Sequence, residues 1–274
     1  MAWQFLLRWA KRLLLVGLVL ATLLTVVSFA MALALRAYTP DDTAFMRANP
    51  GAIHEWVDLD HISRYPIAAA VVYEDVEFGR RTGAFDVGKF VGTAQSYMGG
   101  QHDIVGGSTI HQQLAKNLWL SETRSAWRKG VEAGLSMSMA LSLSDRRVIE
   151  LYMNYVQLGP KLYGVCAASW YYFDSPPWLM TEYQAAQLMA VLPLPSLARR
   201  ADGGGMYVAG DADLQDWFYR KVYRVAPHGI AAMGGYRKIM DQIGIPDDAS
   251  DHEHTGAHSC STMPDQVRTI LGGE

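Results

Sequence analysis

The sequence predicts a mainly α-helical domain that follows a single N-terminal transmembrane helix. Apolar segments recur between helix-capping residues and proline stops, as at Ser144-Asp145 and before Pro193. Strand signals are scarce, and no internal repeat is present in the sequence. Near the N-terminus, about 23 residues from Leu13 to Leu35 carry no charge, and a helix of that length spans the roughly 30 Å apolar core of a bilayer.

Charges on either side of this apolar segment predict its orientation. Basic residues precede it at Arg8, Lys11 and Arg12, so the positive-inside rule places residues 1–12 in the cytoplasm and the chain after Arg36 outside. A cleaved signal peptide is the rival interpretation, since Ala32-Leu33-Ala34 is typical of a cleavage site. The apolar run is longer than that of a signal peptide, which favours an uncleaved anchor.

The rest of the chain divides by composition. We expect an anchor at 13–35, a connector at 36–64, a core at 65–200, a helical extension at 201–248 and a polar, flexible tail at 249–274. In the core, a helix is predicted to begin at Pro66 and a second to be capped by Ser108, with a loose, Gly-rich stretch between them.

Composition excludes some classes of function. A net charge of −3 over 274 residues argues against a nucleic-acid-binding protein, which is usually strongly basic. The two cysteines, Cys166 and Cys260, form no C-x-x-C motif, so the sequence predicts no metal or redox centre from them. Cys166 lies in an apolar helical segment typical of a buried free thiol, which we expect, although an oxidising compartment leaves a disulfide open.

Two polar stripes lie at helical spacing in the core. Ser108, Gln112 and Lys116 are four residues apart, a pattern that suits an anionic, hydroxyl-rich ligand at a helix N-terminus. A second stripe consists of Arg124, Arg128 and Glu132, with Lys129 beside it. It suits a cationic clamp for a phosphate group. From spacing alone, a solvated face explains the first stripe better and an exposed ion pair the second.

Glu74 ends an almost entirely apolar helical segment. Desolvation there would make its carboxyl group a usable base or acid near neutral pH. The alternative is a structural carboxylate paired with Arg80 or Arg81. In the C-terminal tail, the histidines at 252, 254 and 258 indicate a solvated segment, and we expect no metal site in it.

Several motifs, taken in order, resemble the peptidoglycan glycosyltransferase family, and in particular its monofunctional biosynthetic members. They are Glu74-Asp75-Val-Glu-Phe78, Gly106-Gly-Ser-Thr-Ile-His-Gln-Gln-Leu-Ala-Lys-Asn117, Arg128-Lys129-Gly-Val-Glu132, Val148-Ile-Glu-Leu-Tyr-Met-Asn154 and Gly164–Phe173. The resemblance implies a lysozyme-like, two-lobed helical glycosyltransferase domain. It also implies a hydrophobic jaw at 88–105 that dips into the membrane.

The resemblance further implies a reaction and roles for residues. The family joins lipid II to a growing glycan: the 4-hydroxyl of the acceptor attacks C1 of the lipid-pyrophosphate-linked chain, with inversion to a β-1,4 bond. Glu74 matches the general base, and Glu132 matches the second acidic residue on the pyrophosphate side. The polar and basic positions that match the cleft lining are Ser108, Gln112, Lys116, Arg124, Arg128 and Lys129.

The implied ligands and location follow from this substrate. We expect Mg²⁺ or Mn²⁺ to be held mainly by the substrate pyrophosphate and not by a protein site. The expected partners are lipid II, the growing lipid-linked chain, the membrane, and cell-wall synthesis and division proteins, without nucleic acid. The implied location is a bacterial inner membrane, crossed once, with the catalytic domain in the periplasm.

This chain departs from the family pattern at four positions. Arg81 stands where a histidine is usual, His111 replaces a threonine, Ala140 a glutamate and Asp145 a lysine. Arg81 could pair with Glu74. These departures leave open a catalytically weak relative that acts as a scaffold of the wall-synthesis machinery. A lysozyme-like lytic enzyme is a third interpretation, against which the basic stripe and the anchor favour a phosphate-linked lipid substrate.

Overall fold

The computed structural model describes residues 2–86, 108–120, 126–246 and 256–273. The predicted jaw at 88–105 and the predicted cleft residue Arg124 lie outside these described residues.

The described chain is mainly helical, as predicted. Its α-helices are α1 (Ala2–Ala34), α2 (Ala44–Ala48), α3 (Arg64–Glu74), α4 (Ile110–Trp119), α5 (Ala126–Ser142), α6 (Asp145–Tyr155), α7 (Val165–Phe173), α8 (Glu182–Ala190), α9 (Ala212–Arg220), α10 (Ala226–Ala232), α11 (Tyr236–Gln242) and α12 (Asp265–Gly272). A π-helical segment, Lys221–Val225, joins α9 to α10. Single 3₁₀ turns occur at Leu59–His61, Pro177–Leu179 and Pro195–Leu197.

The strands in the described ranges are two or three residues long. β1 (Ile53–His54) pairs in parallel with β2 (Leu162–Tyr163), while β3 (Ala198–Arg200) pairs antiparallel with β4 (Met206–Val208). These short strand pairs hold connecting segments against the helical core. Asn154 holds the segment after β1 through two further hydrogen bonds. The buried amide of Asn154 accepts from the backbone N–H of Val57 and donates to its carbonyl, each at 2.8 Å.

Helix α7 lies at the centre of the core. It is apolar on nearly every side, and Val165, Cys166 and Tyr172 are fully buried, as expected of a helix that is surrounded by others. Its N-cap, Gly164, has a φ of 76° and lies so close to α6 that a Cβ atom there would be 2.4 Å from the carbonyl oxygen of Asn154. Only glycine fits this close approach.

Helix α1 is long and apolar enough, by length and composition, to cross a membrane between Trp3 and Ala34. It begins before the predicted residue 13, because arginine and lysine are good helix formers and the helix continues through them. Its C-terminal end packs on α5, where Ala32 and the following residue Leu35 are buried. Just beyond it, the Nε atom of Arg36 donates to the carbonyl oxygen of Ser142 at 2.6 Å and so caps the C-terminus of α5.

Two expectations about the C-terminal region are wrong. Cys166 is not a free thiol, because it forms a disulfide with Cys260, with a Cα–Cα distance of 5.9 Å. In addition, the predicted flexible tail holds the helix α12 within its described part, and Val267 on that helix is fully buried against the domain. A cross-link between segments 94 residues apart leaves no local signal in the sequence.

The disulfide is expected to stabilise the domain substantially. Replacing both cysteines, Cys166→Ala with Cys260→Ala, should lower the free energy of unfolding by about 2–4 kcal/mol, since the unfolded chain loses a long covalent loop. Denaturant titration of the purified protein measures this change. Dithiothreitol should destabilise the wild type by a similar amount and leave the double variant unchanged; equal stability of both proteins without reductant would contradict the prediction.

Candidate active site

Helix α3 brings Glu74 to the site. The helix begins at Arg64, two residues before the predicted start, because the hydroxyl of Ser63 accepts from the N–H of Tyr65 as an N-cap. Nearly all of its other residues are buried, and they hold the helix so that half-buried Glu74 is its last residue. A carboxylate at the end of a rigid buried helix has little freedom of position.

A chain of hydrogen bonds orients the Glu74 carboxylate. The Nε2 atom of Gln113 on α4 donates to Glu74 Oε2 at 2.6 Å. The fully buried hydroxyl of Tyr152 on α6 donates in turn to Gln113 Oε1 at 2.9 Å. Because the Tyr152 hydroxyl occupies the amide oxygen, the NH₂ group of Gln113 must face Glu74. Burial raises the pKa of Tyr152 well above its usual value, and the charges of Glu74 and Asp75 add to that rise, so Tyr152 stays a donor.

Arg81 pairs with Asp75 and not with Glu74. Its guanidinium binds both carboxylate oxygens of Asp75, with an NH2–Oδ2 distance of 2.5 Å. The carboxylate of Asp75 is completely buried and also accepts from the N–H of Ile110 at the start of α4, at 3.1 Å. Arg81 therefore compensates the charge of Asp75, the Ile110 N–H adds a hydrogen bond, and Arg81 pairs with Asp75 instead of the suspected Glu74.

The first polar stripe is only partly helical. The N-cap of α4 is Thr109 and not the predicted Ser108, which precedes the helix. Gln112 completes a capping box, in which its Oε1 atom accepts from the Thr109 N–H at 3.0 Å. One turn further, the Nζ atom of Lys116 lies 5.4 Å from the ring centroid of Phe45 on α2. Gln112 thus has a structural task, and its role in substrate binding stays a prediction.

The described residues of the second stripe, Arg128, Lys129 and Glu132, lie on α5. Glu132 is 7% exposed, and its Oε1 atom accepts from Lys129 Nζ, so the ion pair joins residues three apart instead of the expected four. The side chain of Lys129 is 58% exposed and that of Arg128 is half-exposed, so both cations remain accessible from solvent. Helix α4 packs on α5 and hydrogen-bonds to Glu74, so it links the two predicted catalytic glutamates.

Three of the four departures from the family pattern interact electrostatically with Asp75. The buried ring of His111 lies 5.4 Å from that of Phe78. The pKa of His111 is lowered to about 4, mainly by burial; the charge of Arg81 contributes to this lowering and that of Asp75 opposes it. Burial raises the pKa of Asp145, an effect that Arg81 opposes and Asp75 reinforces. Arg81, His111 and Asp145 are therefore one electrostatic group, and the fourth departure, Ala140, lies half-buried on α5.

Two residues near Glu74 were missed by the sequence analysis. Gln113 lies next to the predicted Gln112, and only the exact phase of the helix distinguishes them. Lys221 lies in the C-terminal extension, yet its charge interacts with that of Glu74. No motif at Lys221 indicates this, because Lys221 packs against Tyr73 of α3 only through the tertiary fold.

The buried histidine should make stability depend on pH. His111 binds a proton at an ordinary pKa of 6.5 when unfolded and at about 4 when folded, so its neutral form favours folding above pH 6.5, and this advantage is lost as the pH falls toward 4. Between pH 7 and pH 5 the loss from His111 should be about 2 kcal/mol.

Denaturant titrations at pH 7 and pH 5 test this expectation. The variant His111→Thr should lose about 2 kcal/mol less than the wild type over that interval. The exposed His228 provides the matched control, since His228→Gln should follow the wild type. An unchanged pH dependence in His111→Thr would show that the histidine is not held neutral.

Comparison with known proteins shows the family of the chain. The transglycosylase family model matches residues 42–207. Similar curated proteins include the biosynthetic peptidoglycan transglycosylases of Alcanivorax borkumensis (38% identical over 182 residues, 65% of this chain and 74% of the relative) and Acinetobacter baumannii (41% over 167 residues, 58% and 73%). That of Aeromonas hydrophila is 39% identical over 142 residues, 52% of this chain and 60% of the relative. The chain therefore belongs to the transglycosylase family.

Proposed function

We propose that this chain is a peptidoglycan glycosyltransferase that polymerises lipid II into β-1,4-linked glycan strands for the cell wall. The observation that carries the proposal is the carboxylate of Glu74, which Gln113 and Tyr152 orient at the end of a buried helix in a transglycosylase domain. The relatives carry the name biosynthetic peptidoglycan transglycosylase, which fits a synthetic reaction.

The proposed reaction needs a base and a stabilised leaving group. Glu74 accepts the proton of the acceptor 4-hydroxyl while that oxygen forms a bond to C1 of the donor sugar. The bond from C1 to the pyrophosphate oxygen breaks on the opposite face, which inverts C1, and the electron pair leaves on undecaprenyl pyrophosphate. A hydrogen-bonded carboxylate that is already in place suits the first task, because proton transfer requires close, fixed geometry.

The leaving side needs positive charge. Arg128 and Lys129 on α5 are accessible to solvent, and Lys129 forms an ion pair with buried Glu132. In the proposed complex, the pyrophosphate replaces Glu132 as the ion-pair partner of the Lys129 ammonium. Cations placed before the reaction stabilise the charge that develops on the leaving oxygen. Ser108, Gln112, Lys116 and Arg124 complete the proposed cleft lining.

A divalent cation, Mg²⁺ or Mn²⁺, remains part of the proposal. Within the described ranges, no group of three or more His, Cys, Asp or Glu side chains could hold a metal ion, and Asp75 is already occupied by Arg81. The residues that the structure describes do not form a protein cage for the ion. It would neutralise charge on the substrate pyrophosphate, and no step above depends on it.

The proposed location is the periplasmic face of a bacterial inner membrane, with α1 as an uncleaved anchor. The burial of Ala32 against the domain supports retention of α1, because cleavage after Ala34 would remove this contact. The disulfide between Cys166 and Cys260 supports an oxidising compartment such as the periplasm. Wall-synthesis and division proteins are the proposed partners beside lipid II.

Polymerisation of lipid II by the detergent-solubilised protein tests the proposed function. With Mg²⁺ or Mn²⁺ present, the wild type should produce glycan chains, and Glu74→Gln should reduce the rate by at least about a hundredfold, because the amide cannot accept the proton. Glu77→Gln, three residues further, is the matched control and should retain activity.

Other outcomes would decide between the alternatives. A folded wild type that makes no glycan would favour the scaffold interpretation. Release of soluble muropeptides from purified sacculi would favour the lytic enzyme.

The two cationic positions should affect turnover without affecting folding. We expect Lys116→Ala and Arg128→Ala each to lower the polymerisation rate by about tenfold or more, since each removes charge from the leaving side. Their melting transitions should stay cooperative and close to that of the wild type. A lost transition in either variant would instead assign that residue a structural role.

A further inference from the structure

A cavity lies where helix α1 joins the domain. It has a volume of about 460 Å³ and is formed by the residue after the end of α1 and by the turn between α5 and α6. Its lining residues are Arg36, Leu141, Ser142, Leu143, Ser144 and Arg147. The lining contains two arginines and no acidic residue, so its charge suits an anionic ligand.

Hydrogen bonds hold both arginines in place. Arg36 donates from Nε to the carbonyl oxygen of Ser142 at 2.6 Å. Within the described residues this is the only hydrogen bond of its guanidinium, so both terminal nitrogens keep their donors for a ligand. Arg147 donates from Nε to the carbonyl oxygen of Leu35 at 2.9 Å and from Nη2 to Thr39 Oγ1 at 2.8 Å. The cationic wall is thus formed before a ligand binds, which lowers the entropic cost of binding.

The acidic residues of α6 leave the charge of Arg36 available. Glu150 forms its ion pair with Arg147, and Asp145 interacts electrostatically with the Asp75 group described above. Neither carboxylate lines the cavity. In the part of the chain that the structure describes, Arg36 has no ion-pair partner. A ligand in the cavity therefore meets one uncompensated positive charge.

The position of the cavity along α1 indicates a lipid. Arg36 is the first charged residue after the apolar stretch from Leu13 to Leu35. With α1 across a bilayer, Arg36 lies at the boundary between the apolar core and the head groups, where lipid phosphates are found. Tyr38 is exposed two residues later, and tyrosine is enriched at this depth. The lining residue Leu141 is 55% exposed and offers an apolar surface to an acyl chain.

We propose that this cavity binds the phosphate of an anionic phospholipid in the outer leaflet of the membrane. Arg36 binds the phosphate through its two terminal nitrogens, in the paired geometry that suits guanidinium and phosphate groups. The hydroxyl of Ser144 accepts from the N–H of Arg147 at 3.3 Å and keeps its own proton to donate to the ligand. The first carbons of one acyl chain lie against Leu141. The site rests on the proposed location of α1 in a bilayer and is independent of the proposed reaction.

Photolabelling of the full-length protein in phosphatidylcholine nanodiscs tests the site. A trace of phosphatidylglycerol or phosphatidylcholine carries a diazirine near the start of one acyl chain, and the labelled residues are mapped by mass spectrometry. The phosphatidylglycerol probe should label the segment around Leu141 about fivefold more than the phosphatidylcholine probe, because its net charge is attracted by Arg36. Equal labelling by the two lipids would show general contact with the bilayer and overturn the proposal. This comparison needs only the wild type.

Matched variants test which charge gives the preference. Arg36→Gln should abolish the preference for phosphatidylglycerol at Leu141, whereas Arg36→Lys should retain most of it. Arg12→Gln removes a cation from the opposite end of α1 and should leave this labelling unchanged. A preference that survives in folded Arg36→Gln, or that disappears in Arg12→Gln, would overturn the proposal.

Inorganic phosphate distinguishes a lipid from a soluble ligand with the same chemistry. Millimolar phosphate should reduce the labelling around Leu141 no more than sodium chloride of equal ionic strength does, because the free ion gains nothing from the apolar surface. Specific competition by phosphate would assign the cavity to a soluble anion and overturn the lipid assignment. If the wild type makes no glycan, the proposed function fails, while the labelling still decides whether the cavity binds a lipid.

Discussion

The buried carboxylate of Asp75 is the constraint on which the site depends. It joins the end of α3, the loop that carries Arg81 and the first turn of α4 through one ion pair and one backbone hydrogen bond. A buried carboxylate without such partners would be costly, so the three segments can meet only in this arrangement. Because Glu74 precedes Asp75 and Gln113 follows the first turn of α4, the same constraint sets the contact between them.

The departures from the family pattern are best understood together. Arg81 supplies the cation that Asp75 needs, and its charge also lowers the pKa of His111 and opposes the rise in that of Asp145. Replacement of Arg81, His111 or Asp145 by the residue more usual in the family would change the electrostatic environment of the other two. The group interacts with Asp75 and not with the carboxylate of Glu74, which accepts a hydrogen bond from Gln113. The local chemistry can therefore differ from the family pattern while the proposed base keeps this partner.

The sequence predicted what local patterns determine. The helical class, the Ser144 cap and the position of Glu74 at a helix end follow from periodicity and capping, and the structure agrees with all three. Ser108 and Thr109 are both capable caps, so only the hydrogen-bond geometry could decide between them. The pairing of Cys166 with Cys260 and the packing of Lys221 against Tyr73 join distant segments. Neither involves a residue spacing that a single sequence can reveal.

The contact between α1 and α5 has a mechanical consequence. Arg36 caps α5 directly after α1 ends, so no slack linker separates the apolar helix from the domain. With α1 in a bilayer, the domain would be joined rigidly to the transmembrane helix and not through a flexible linker. The distance from the lipid surface to α5 would then be nearly constant. A fixed distance of this kind would favour substrate head groups that project to a set height above the membrane. Tilting of α1 in the bilayer would be the main remaining freedom of the domain.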